Sequence, residues 1–395
     1  MTPSPGSPPA TDSAARIPEF LPFTRPTLDE ETIQGVVDVL RSGWITSGPQ
    51  VQRFEAMLSG YCGGRPVRSL VSGTGALELA LELAGVKPGD EVITTPLTWV
   101  ATANVIVRAG ARPVLVDVDP ATRLIDLDRA EAAITSRTRA ILPVDLAGFP
   151  VDRDRLYDIA RARGLRVIED AAQSLGATWK GRRIGSFGDL VCFSFHANKN
   201  VTTAEGGALV LNDAAEATRC ERLRLQGVIR FPDGEQDVEE PGAKLNLTDV
   251  AARIGVGQLA RIDEFTARRR ELAARYFDRF DRELECDLPP VDDPGTNWHM
   301  FQPVLPVDRM TISRGEFIRQ MHARGIGVGV HYPALHRFTL YRGMGYGDGD
   351  FPHAERVGRG IVTLPLFPTM RNDDVDRVCD AVRDILRASL PPRHR

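Results

Sequence analysis

Short apolar and β-branched runs alternate with longer helical patterns between residues 68 and 211 of this chain. Strand–helix–strand alternation predicts a largely parallel sheet that is covered by helices on both faces. The helical patterns include Ala76–Ala84, Val100–Ala109 and Arg153–Arg163. The predicted strands are Arg68–Ser72, Glu91–Thr95, Pro113–Val118, Arg139–Val144, Arg166–Asp170, Leu190–Phe195 and Ala208–Leu211.

The region that follows has a different character. A long helical pattern rich in Arg and Glu covers about Leu247–Glu285, and proline pairs come after it. A helix is predicted to begin at Ser313, because Ser313 and Glu316 have the spacing of a capping box. The remaining predicted elements are strands at Met300–Val307 and Gly327–His331 and a final helix from about Asp373 to Ala388.

These patterns divide the chain into three predicted parts. Residues 1–16 are rich in Pro and Ser, which is typical of a disordered tail, and they lack the basic start and apolar stretch of a secretory signal. Residues 17–260 form a large α/β domain. Residues 261–395 form a helical connection and a smaller C-terminal α+β domain.

Within the helical connection stands the run Arg268-Arg269-Arg270. Three adjacent cations could line an anion site or a solvated helix face. The acidic neighbours Glu264 and Glu271 lie at helical spacing from the run and favour the solvated face.

Composition excludes several classes of function. The chain has 395 residues and a formal net charge of −4, which gives no electrostatic reason to expect nucleic acid or an anionic membrane as a partner. No apolar run reaches the length of a membrane span. The five cysteines are scattered and form no CxxC pair, which suits reduced thiols better than disulfides or a zinc site. We therefore expect a cytoplasmic protein without a metal centre.

Three features fall at the ends of predicted parallel strands, the edge at which open α/β sheets bind ligands. The first is the turn Ser72-Gly73-Thr74-Gly75, whose free N–H groups at a helix start suit a phosphate, although such glycines are more often structural. The second is Asp170, the last residue of its strand. A buried carboxylate needs a cationic partner, such as a protonated cofactor ring nitrogen, unless Asp170 only caps the following segment.

The third feature is Lys199, which follows an apolar strand and precedes a Gly-Gly turn. Only four of the 49 basic residues are lysines; Lys87 and Lys180 stand in turns where exposure is expected, and Lys244 is a weaker competitor. Desolvation can make a lysine a Schiff-base nucleophile. A phosphate cradle, a carboxylate and a lysine are together the parts needed to bind pyridoxal 5′-phosphate (PLP).

These motifs carry a resemblance. The chain resembles the DegT/DnrJ/EryC1/StrS family of PLP-dependent sugar aminotransferases, which have the PLP-dependent transferase fold type I. The matching text covers nearly everything after the tail. It includes PFTRP (residues 22–26), SGWITSGP (42–49), VSGTGAL (71–77), GDEVITTPLTWVATAN (89–104), VDVDP (116–120), IEDAAQSLGA (168–177), IGSFGD (184–189), FSFHANKNVTTAEGG (193–207), KLNLTD (244–249), NWHMF, GIGVGVHYPALH and LPLFP.

The resemblance implies roles at the cofactor ring. Lys199 matches the lysine that holds PLP as an imine, and Asp170 matches the partner of the pyridine nitrogen. Gln173 lies where a side chain meets the ring or its O3′, a place at which some of the closest relatives have His. Trp99 matches an aromatic residue that stacks on the cofactor, whereas taken alone it would be assigned to the core.

The resemblance also implies contacts farther from the ring. Thr74, Gly75 and Ser194 match phosphate contacts, and Asn246 matches an asparagine that reaches the phosphate from the neighbouring subunit, which implies a homodimer with shared active sites. The segment that borders the sugar-nucleotide pocket supplies His331 and Tyr332, although His331 could equally be a structural histidine. Two further histidines, His196 and His299, are candidates only.

The expected activity is transfer of the amino group of L-glutamate to C4 of a nucleotide-linked 4-keto sugar. PLP is the cofactor, with pyridoxamine 5′-phosphate as the intermediate form, and 2-oxoglutarate is the second product. The sequence most resembles those of the UDP-4-amino-4-deoxy-L-arabinose aminotransferases, although some of these enzymes have His at the position of Gln173. The alternatives are a keto-cyclitol aminotransferase acting on a scyllo-inosose-type substrate, a PLP-dependent sugar dehydratase, and a PLP-sensing regulator. Relatives that resemble the 3-dehydratases carry His in place of the lysine, so Lys199 argues against that alternative.

Overall fold

The computed structural model describes residues 19–291 and 295–391 of the chain. The predicted tail at residues 1–16 lies outside these residues. In chain order the strands are β1 (Val67–Leu70), β2 (Glu91–Thr94), β3 (Arg112–Leu115), β4 (Thr138–Ile141), β5 (Arg166–Asp170), β6 (Thr178–Trp179), β7 (Arg182–Arg183), β8 (Leu190–Ser194), β9 (Gly207–Val210), β10 (Val228–Arg230) and β11 (Gln236–Val238).

The α-helices accompany these strands and fill the C-terminal third. Single 3₁₀ turns lie at Leu146–Gly148, Arg282–Leu284 and Leu335–Arg337. The α-helices are α1 (Glu30–Ser42), α2 (Pro49–Tyr61), α3 (Gly73–Leu83), α4 (Val100–Arg108), α5 (Leu127–Ala132), α6 (Arg153–Arg163), α7 (Ala214–Leu223), α8 (Asp249–Leu259), α9 (Ile262–Arg279), α10 (Arg314–Ala323), α11 (Thr339–Arg342), α12 (Pro352–Gly360) and α13 (Asn372–Ser389).

The central sheet has seven strands in the order β1-β9-β8-β5-β4-β2-β3. Strand β9 is antiparallel to both of its neighbours, and the other pairs are parallel. All seven predicted strands are present, each within a few residues of its predicted limits. The largely parallel α/β sheet predicted from the sequence is therefore confirmed, with one antiparallel member.

Helices cover both faces of this sheet because its strands are apolar on both sides. Successive residues of a strand point to opposite faces. In β5, for example, Ile168 packs in the cluster formed with α3, α4 and α7, whereas Val167 packs in the cluster that includes α6, α9 and α13. A third cluster lies between the sheet, α2 and α8. The predicted domain boundary at residue 260 stays a prediction.

The local signals at the helix ends act as the sequence suggests. The Ser313 side chain accepts a hydrogen bond from the Glu316 N–H at 3.1 Å and so starts α10. Helix α6 ends at Gly164, which takes a left-handed conformation with φ +64°, a backbone region that glycine enters without steric cost. The final helix α13 also lies where it is predicted.

Two C-terminal predictions are wrong. The stretches Met300–Val307 and Gly327–His331 form no strand ladder; they make isolated bridges, such as Phe301 with Leu364 and Gly329 with Thr363. The apolar residues of these stretches are buried by side-chain packing around Phe301 and Val304 rather than by pairing of long strands. A short apolar run does not by itself distinguish these two modes of burial.

The solvated face predicted for Arg268-Arg269-Arg270 is also wrong at its central residue. Arg269 is buried and its guanidinium donates to three main-chain carbonyl oxygens, those of Trp298, His299 and Leu366, at 3.4, 3.2 and 2.8 Å. Segments of irregular backbone pack on α9 here, and their carbonyl groups need a donor. The cation supplies it.

Candidate active site

A cleft of about 350 Å³ opens at the carboxyl edge of the parallel strands. Each wall comes from the carboxyl end of one strand or from the segment that follows it: Ser72–Thr74 at β1, Thr98–Thr102 at β2, Asp170–Gln173 at β5, and Ser194–Lys199 at β8. His331 and Tyr332 from the C-terminal part complete the lining. Ligand sites at this edge are expected because parallel strands deliver their carboxyl ends to one side of the sheet.

The start of α3 forms one end of the cleft. The Ser72 hydroxyl accepts from the Gly75 N–H at 3.0 Å, while the N–H groups of Gly73 and Thr74 have no acceptor within residues 19–291 and 295–391. A Cβ atom at Gly73 would lie 2.8 Å from the Cβ of Ser194. Two free helix-terminal donors in a space that only glycine leaves open form a suitable anion cradle.

A second glycine, on the neighbouring strand, packs directly against the backbone of this cradle. Gly207, the first residue of β9, lies so close to the α3 turn that an added Cβ would stand 2.4 Å from the main-chain carbon of Ser72. Backbone in this position admits no side chain. Of the predicted phosphate contacts, Thr74 and Ser194 line the cleft, and Gly75 lies one position farther into the helix.

Asp170 faces the cleft from the end of β5. Its main chain is fixed by hydrogen bonds of its N–H to the Pro143 carbonyl at 3.0 Å and of its carbonyl to the Asp145 N–H at 3.2 Å. Its carboxylate accepts from the Thr102 hydroxyl at 2.8 Å and from the Ala172 N–H at 3.2 Å. Burial raises the pKa of Asp170, and these donors act against that rise. Asp170 therefore caps the following segment through the Ala172 N–H, as one alternative predicted, but its carboxylate is also held by Thr102 at the cleft.

Gln173 is buried three residues beyond Asp170 and is held on both sides. Its side-chain oxygen accepts from the Ala147 N–H at 2.7 Å, and its amide nitrogen donates to the Tyr332 hydroxyl at 3.4 Å. The first bond connects the segment after β5 to the 3₁₀ turn after β4, and the second connects it to the C-terminal part of the chain. The amide therefore has a fixed orientation at the wall of the cleft.

Lys199 reaches the same cleft from the loop after β8. Its N–H donates to the His196 carbonyl at 2.9 Å, and within the described residues its amine has no hydrogen-bond partner. Burial lowers the pKa of Lys199 to about 8, although the nearby Asp170 charge acts to raise it. An amine with this pKa is partly neutral near physiological pH, as a nucleophile or a general base requires.

The outer rim of the cleft is more open. Trp99 stands at the start of α4 with 58% of its surface exposed, and its ring lies 5.7 Å from that of Tyr332. Core packing of Trp99, the alternative from the residue alone, is therefore wrong. His331 contacts Thr363 Oγ1 at 2.8 Å, and burial lowers the pKa of His331 to about 4. His196 is exposed and lies 2.9 Å from Asn198 Oδ1.

Besides Gly75, two predicted residues lie away from this lining. Asn246 is buried beside Ser47, to whose hydroxyl it donates at 2.7 Å, and it borders a different cavity together with Lys244. His299 is buried behind the Lys199 loop. The other lysines also lie elsewhere. Lys244 borders the cavity that contains Asn246, Lys87 is exposed, and Lys180 pairs with Asp154 on the surface.

Several residues that line the cleft were not predicted from the sequence. Thr98 and Thr102 are four residues apart, and their hydroxyls lie 2.8 Å from each other behind Asp170. Helical spacing from Trp99 could have revealed Thr102. Asn198 and Glu205 in the Lys199 loop also line it, and no local pattern marks them.

The parts fit PLP as a group. Free helix-terminal N–H groups, a buried carboxylate and a desolvated amine face one cleft, and these are the donor, acid and nucleophile that phosphate, pyridinium and aldehyde require. In the described part of the chain, no cluster of His, Cys, Asp or Glu could hold a metal ion, and no helix is long and apolar enough to cross a membrane. The fold and the cleft define a PLP-dependent enzyme.

Comparison with known proteins identifies the same class and, within it, the family to which the chain belongs. The chain belongs to the DegT/DnrJ/EryC1/StrS aminotransferase family, whose model matches residues 26–383. It is 40% identical over 383 residues to the spore coat polysaccharide biosynthesis protein SpsC of Bacillus subtilis, covering 94% of this chain and 98% of SpsC. It is a PLP-dependent sugar aminotransferase that uses a sugar substrate and an amino donor.

Solved structures resemble it along nearly the whole length. Spr1654 of Streptococcus pneumoniae, known in PLP and PMP forms, matches with a TM-score of 0.87 and 32% identity over 93% of this chain and 99% of that one. DesI, solved in the presence of its TDP-sugar product, matches with a TM-score of 0.84 and 31% identity over 93% of each chain.

Proposed function

We propose that this enzyme transfers the amino group of L-glutamate to C4 of a nucleotide-linked 4-keto sugar. The observation that carries the proposal is the convergence of Lys199, Asp170 and the free N–H groups of α3 on one cleft whose outer rim is open. When bound there, PLP supplies a carbonyl that takes up an amino group and a ring that accepts the electrons released with a proton.

Asp170 and the α3 turn would hold the two ends of the cofactor. The Asp170 carboxylate, oriented by Thr102, keeps a proton on the ring nitrogen because a negative charge in a buried site stabilises a nearby cation. The N–H groups of Gly73 and Thr74 and the hydroxyl of Ser194 bind the phosphate. Gln173 and Trp99 line the same cleft and would contact the ring.

Lys199 would move the protons. In the first half of the reaction its neutral amine removes the α-proton of glutamate, and in the second half its ammonium returns a proton to C4 of the sugar. One group can do both because a pKa of about 8 lets the amine exist in both protonation states near neutral pH. Asp170 stays charged throughout and takes no proton from the substrate.

The proposal includes a homodimer with shared active sites. Asn246 of one chain lies outside that chain's own cleft, beside Ser47 and Lys244 on a polar cavity of about 780 Å³. Its place outside the lining of that cleft supports a role for Asn246 at the phosphate of another copy. We also propose a cytoplasmic location, which the five free thiols support.

Residues on the outer rim would choose the sugar. His331 and Tyr332 come from the C-terminal part of the chain, and His196 comes from the Lys199 loop, so the sugar would lie between two independent segments. Support for a nucleotide sugar comes from DesI, whose structure contains a TDP-sugar product. Support for C4 comes from the motifs SGWITSGP and SFHANKNVTTAEGG, which resemble those of C4-aminating enzymes.

A substrate panel tests the proposal. Purified holoenzyme is incubated with L-glutamate and, separately, UDP- and TDP-linked 4-keto sugars, a 3-keto counterpart and scyllo-inosose, and the products are read by mass and NMR. We expect an amine at C4 of a nucleotide-linked sugar together with stoichiometric 2-oxoglutarate.

The matched control is the Lys199→Ala protein in the same panel, which shows whether any amine depends on the enzyme. Exclusive amination of scyllo-inosose or of C3, or loss of water from the sugar without transfer of an amine, would contradict the proposal. Size-exclusion chromatography with light scattering that gave a monomer at full activity would contradict the shared site.

A further inference from the structure

His299 occupies a place in the molecule that the aminotransferase chemistry above does not use. It is 4% exposed and lies behind the wall of the cleft, on the side of the Lys199 loop. Its Nδ1 lies 3.0 Å from Oδ1 of Asn200, and Asn200 directly follows Lys199 in the chain. The imidazole therefore contacts the residue next to the amine rather than the amine itself.

The Asn200 side chain has an orientation that determines the protonation of His299. The Nδ2 group of Asn200 donates to the main-chain carbonyl of Asn297 at 3.4 Å, so its oxygen faces the imidazole. Since an amide oxygen only accepts, Nδ1 of His299 must carry the hydrogen. Burial, with the charges of Lys199 and Arg269, keeps the pKa of His299 well below its ordinary value.

The same segment also holds the opposite wall of the cleft. Asn297 donates from its side chain to the carbonyl oxygens of Gln173 at 2.9 Å and of Leu175 at 2.7 Å. Its side-chain oxygen accepts from the His299 N–H at 3.0 Å. Segment 297–299 is thus bonded both to the turn after Asp170 and to the loop that carries Lys199.

Arg269 supports this segment from α9. Its guanidinium donates to the His299 carbonyl at 3.2 Å and to the Leu366 carbonyl at 2.8 Å, and in the described residues no acidic group pairs with it. A buried cation placed on main-chain oxygens fixes the backbone of residue 299 and opposes a second positive charge on its ring.

We propose that His299 is a positioning residue for Lys199. Its neutral imidazole, donating from Nδ1, fixes Asn200 and so fixes the backbone from which the Lys199 side chain enters the cleft. The inference rests on the role of Lys199 in the proposed function. An amine displaced by about 1 Å from its proton can lose on the order of 10²-fold in rate, so the loop needs such a support.

The first measurement needs no cofactor. Hydrogen–deuterium exchange of the peptide 196–203 is compared in the cofactor-free protein for wild type, His299→Leu, which removes the donor, and His299→Gln, which keeps an N–H donor. We expect exchange about tenfold faster in His299→Leu and near wild type in His299→Gln. The control His322→Leu changes an exposed histidine of α10 and leaves the peptide unchanged. Equal exchange in all four proteins would overturn the proposal.

The second measurement uses the holoenzyme and separates binding from chemistry. We expect His299→Leu to slow the single-turnover reaction with glutamate by about 10²-fold with KM within about threefold, and His299→Gln to recover most of the rate. Rates within twofold of wild type for His299→Leu, or equal losses for Leu and Gln, would refute positioning through the donated hydrogen. Full activity of Lys199→Ala would instead refute the proposed function.

A variant of Asn200 keeps the inference testable if His299→Leu does not fold, and together with a folded His299→Leu it completes a double-mutant cycle. Asn200→Ala breaks the same contact from the other side and is expected to slow the reaction similarly. If both folded variants are obtained, the double variant should be no slower than the slower single one, because the two residues act through one bond. Wild-type rate in Asn200→Ala, or multiplication of the two losses, would overturn it.

Discussion

The inner and outer ends of the cleft are built in different ways. At the inner end Asp170 and Gln173 are 7% and 5% exposed, and backbone or side-chain hydrogen bonds hold each of them. At the outer end Trp99 is 58% exposed, and in the described part of the chain the polar contacts of the His196 ring are with Asn198 and Glu205 of its own loop. The inner end is organised before any ligand arrives. Trp99 and His196 therefore have few contacts to fix them, whereas Tyr332 and His331 beside them are held by hydrogen bonds to Gln173 and Thr363.

The largest effect that separates the two ends is expected at Lys199. Replacing Lys199 with Ala removes the only amine in the described cleft, so turnover should fall on the order of 10⁴-fold or more. The measurement is the steady-state rate together with the imine absorbance band, which should disappear. Lys180→Ala, a change at an exposed lysine paired with Asp154, is the control and should keep both. Comparable activity in the two variants would contradict the assignment.

The second largest effect is expected for Asp170→Asn, at the inner end of the cleft. The amide keeps the shape but loses the charge that holds a proton on the ring nitrogen, so we expect single turnover with glutamate to slow roughly 10²- to 10³-fold. Cofactor should remain bound, because the α3 turn is unchanged. Asp158→Asn, an exposed carboxylate on α6, serves as the reference. Unaltered kinetics in Asp170→Asn would remove this residue from the mechanism.

The outer end should respond far less. Trp99→Ala removes an exposed ring with one aromatic contact, so cofactor affinity should fall only about 2- to 10-fold, as for a single aromatic interaction. Equilibrium titration of the cofactor-free protein with PLP measures it, and Trp99→Phe should recover most of the loss. A loss as large as that of Asp170→Asn would show that the outer end is as tightly organised as the inner one.

The last effect concerns folding stability rather than activity and comes from His331. Its folded pKa of about 4 lies below the ordinary value of about 6.5. Between these values the unfolded chain binds more protons, so folding stability falls as pH falls through this window, by at most about 1.4 kcal/mol per pH unit. Urea unfolding of cofactor-free wild type and His331→Gln at pH 6.5 and 5 should show a flatter dependence in the variant. His322→Gln is the matched control, and identical slopes for wild type and His331→Gln would exclude the effect.

The inner end of the cleft is also the part of the molecule that could best be predicted from the sequence. Lys199 and Asp170 stand at the ends of apolar strands, and parallel strands bring such residues together whatever the rest of the chain does. The C-terminal stretches around Phe301 and Gly329 have no such rule, because long-range packing decides whether an apolar run pairs or only packs. Arg269 looks like a surface residue in sequence, since its acceptors are main-chain oxygens that carry no sequence signature.

Some of the site was within reach of the sequence and was still missed. Trp99 is the N-cap of α4, and Thr102 lies three residues farther along this helix. Helical spacing therefore places both residues on the side of α4 that faces the cleft. The contact between His299 and Asn200 joins residues 99 positions apart. No local pattern announces such a pair, and only the folded chain reveals it.

The glycines beside the α3 turn have a consequence for how this enzyme can change. At Gly73 and Gly207 the useful feature is empty space, and every substitution adds an atom that would collide with Ser194 or with the main chain of Ser72. No exchange at these two positions is conservative, not even to alanine. A descendant of this chain that kept its lysine but gained a methyl group there would have the nucleophile without room for the phosphate, and inspection of its other site residues would give no warning.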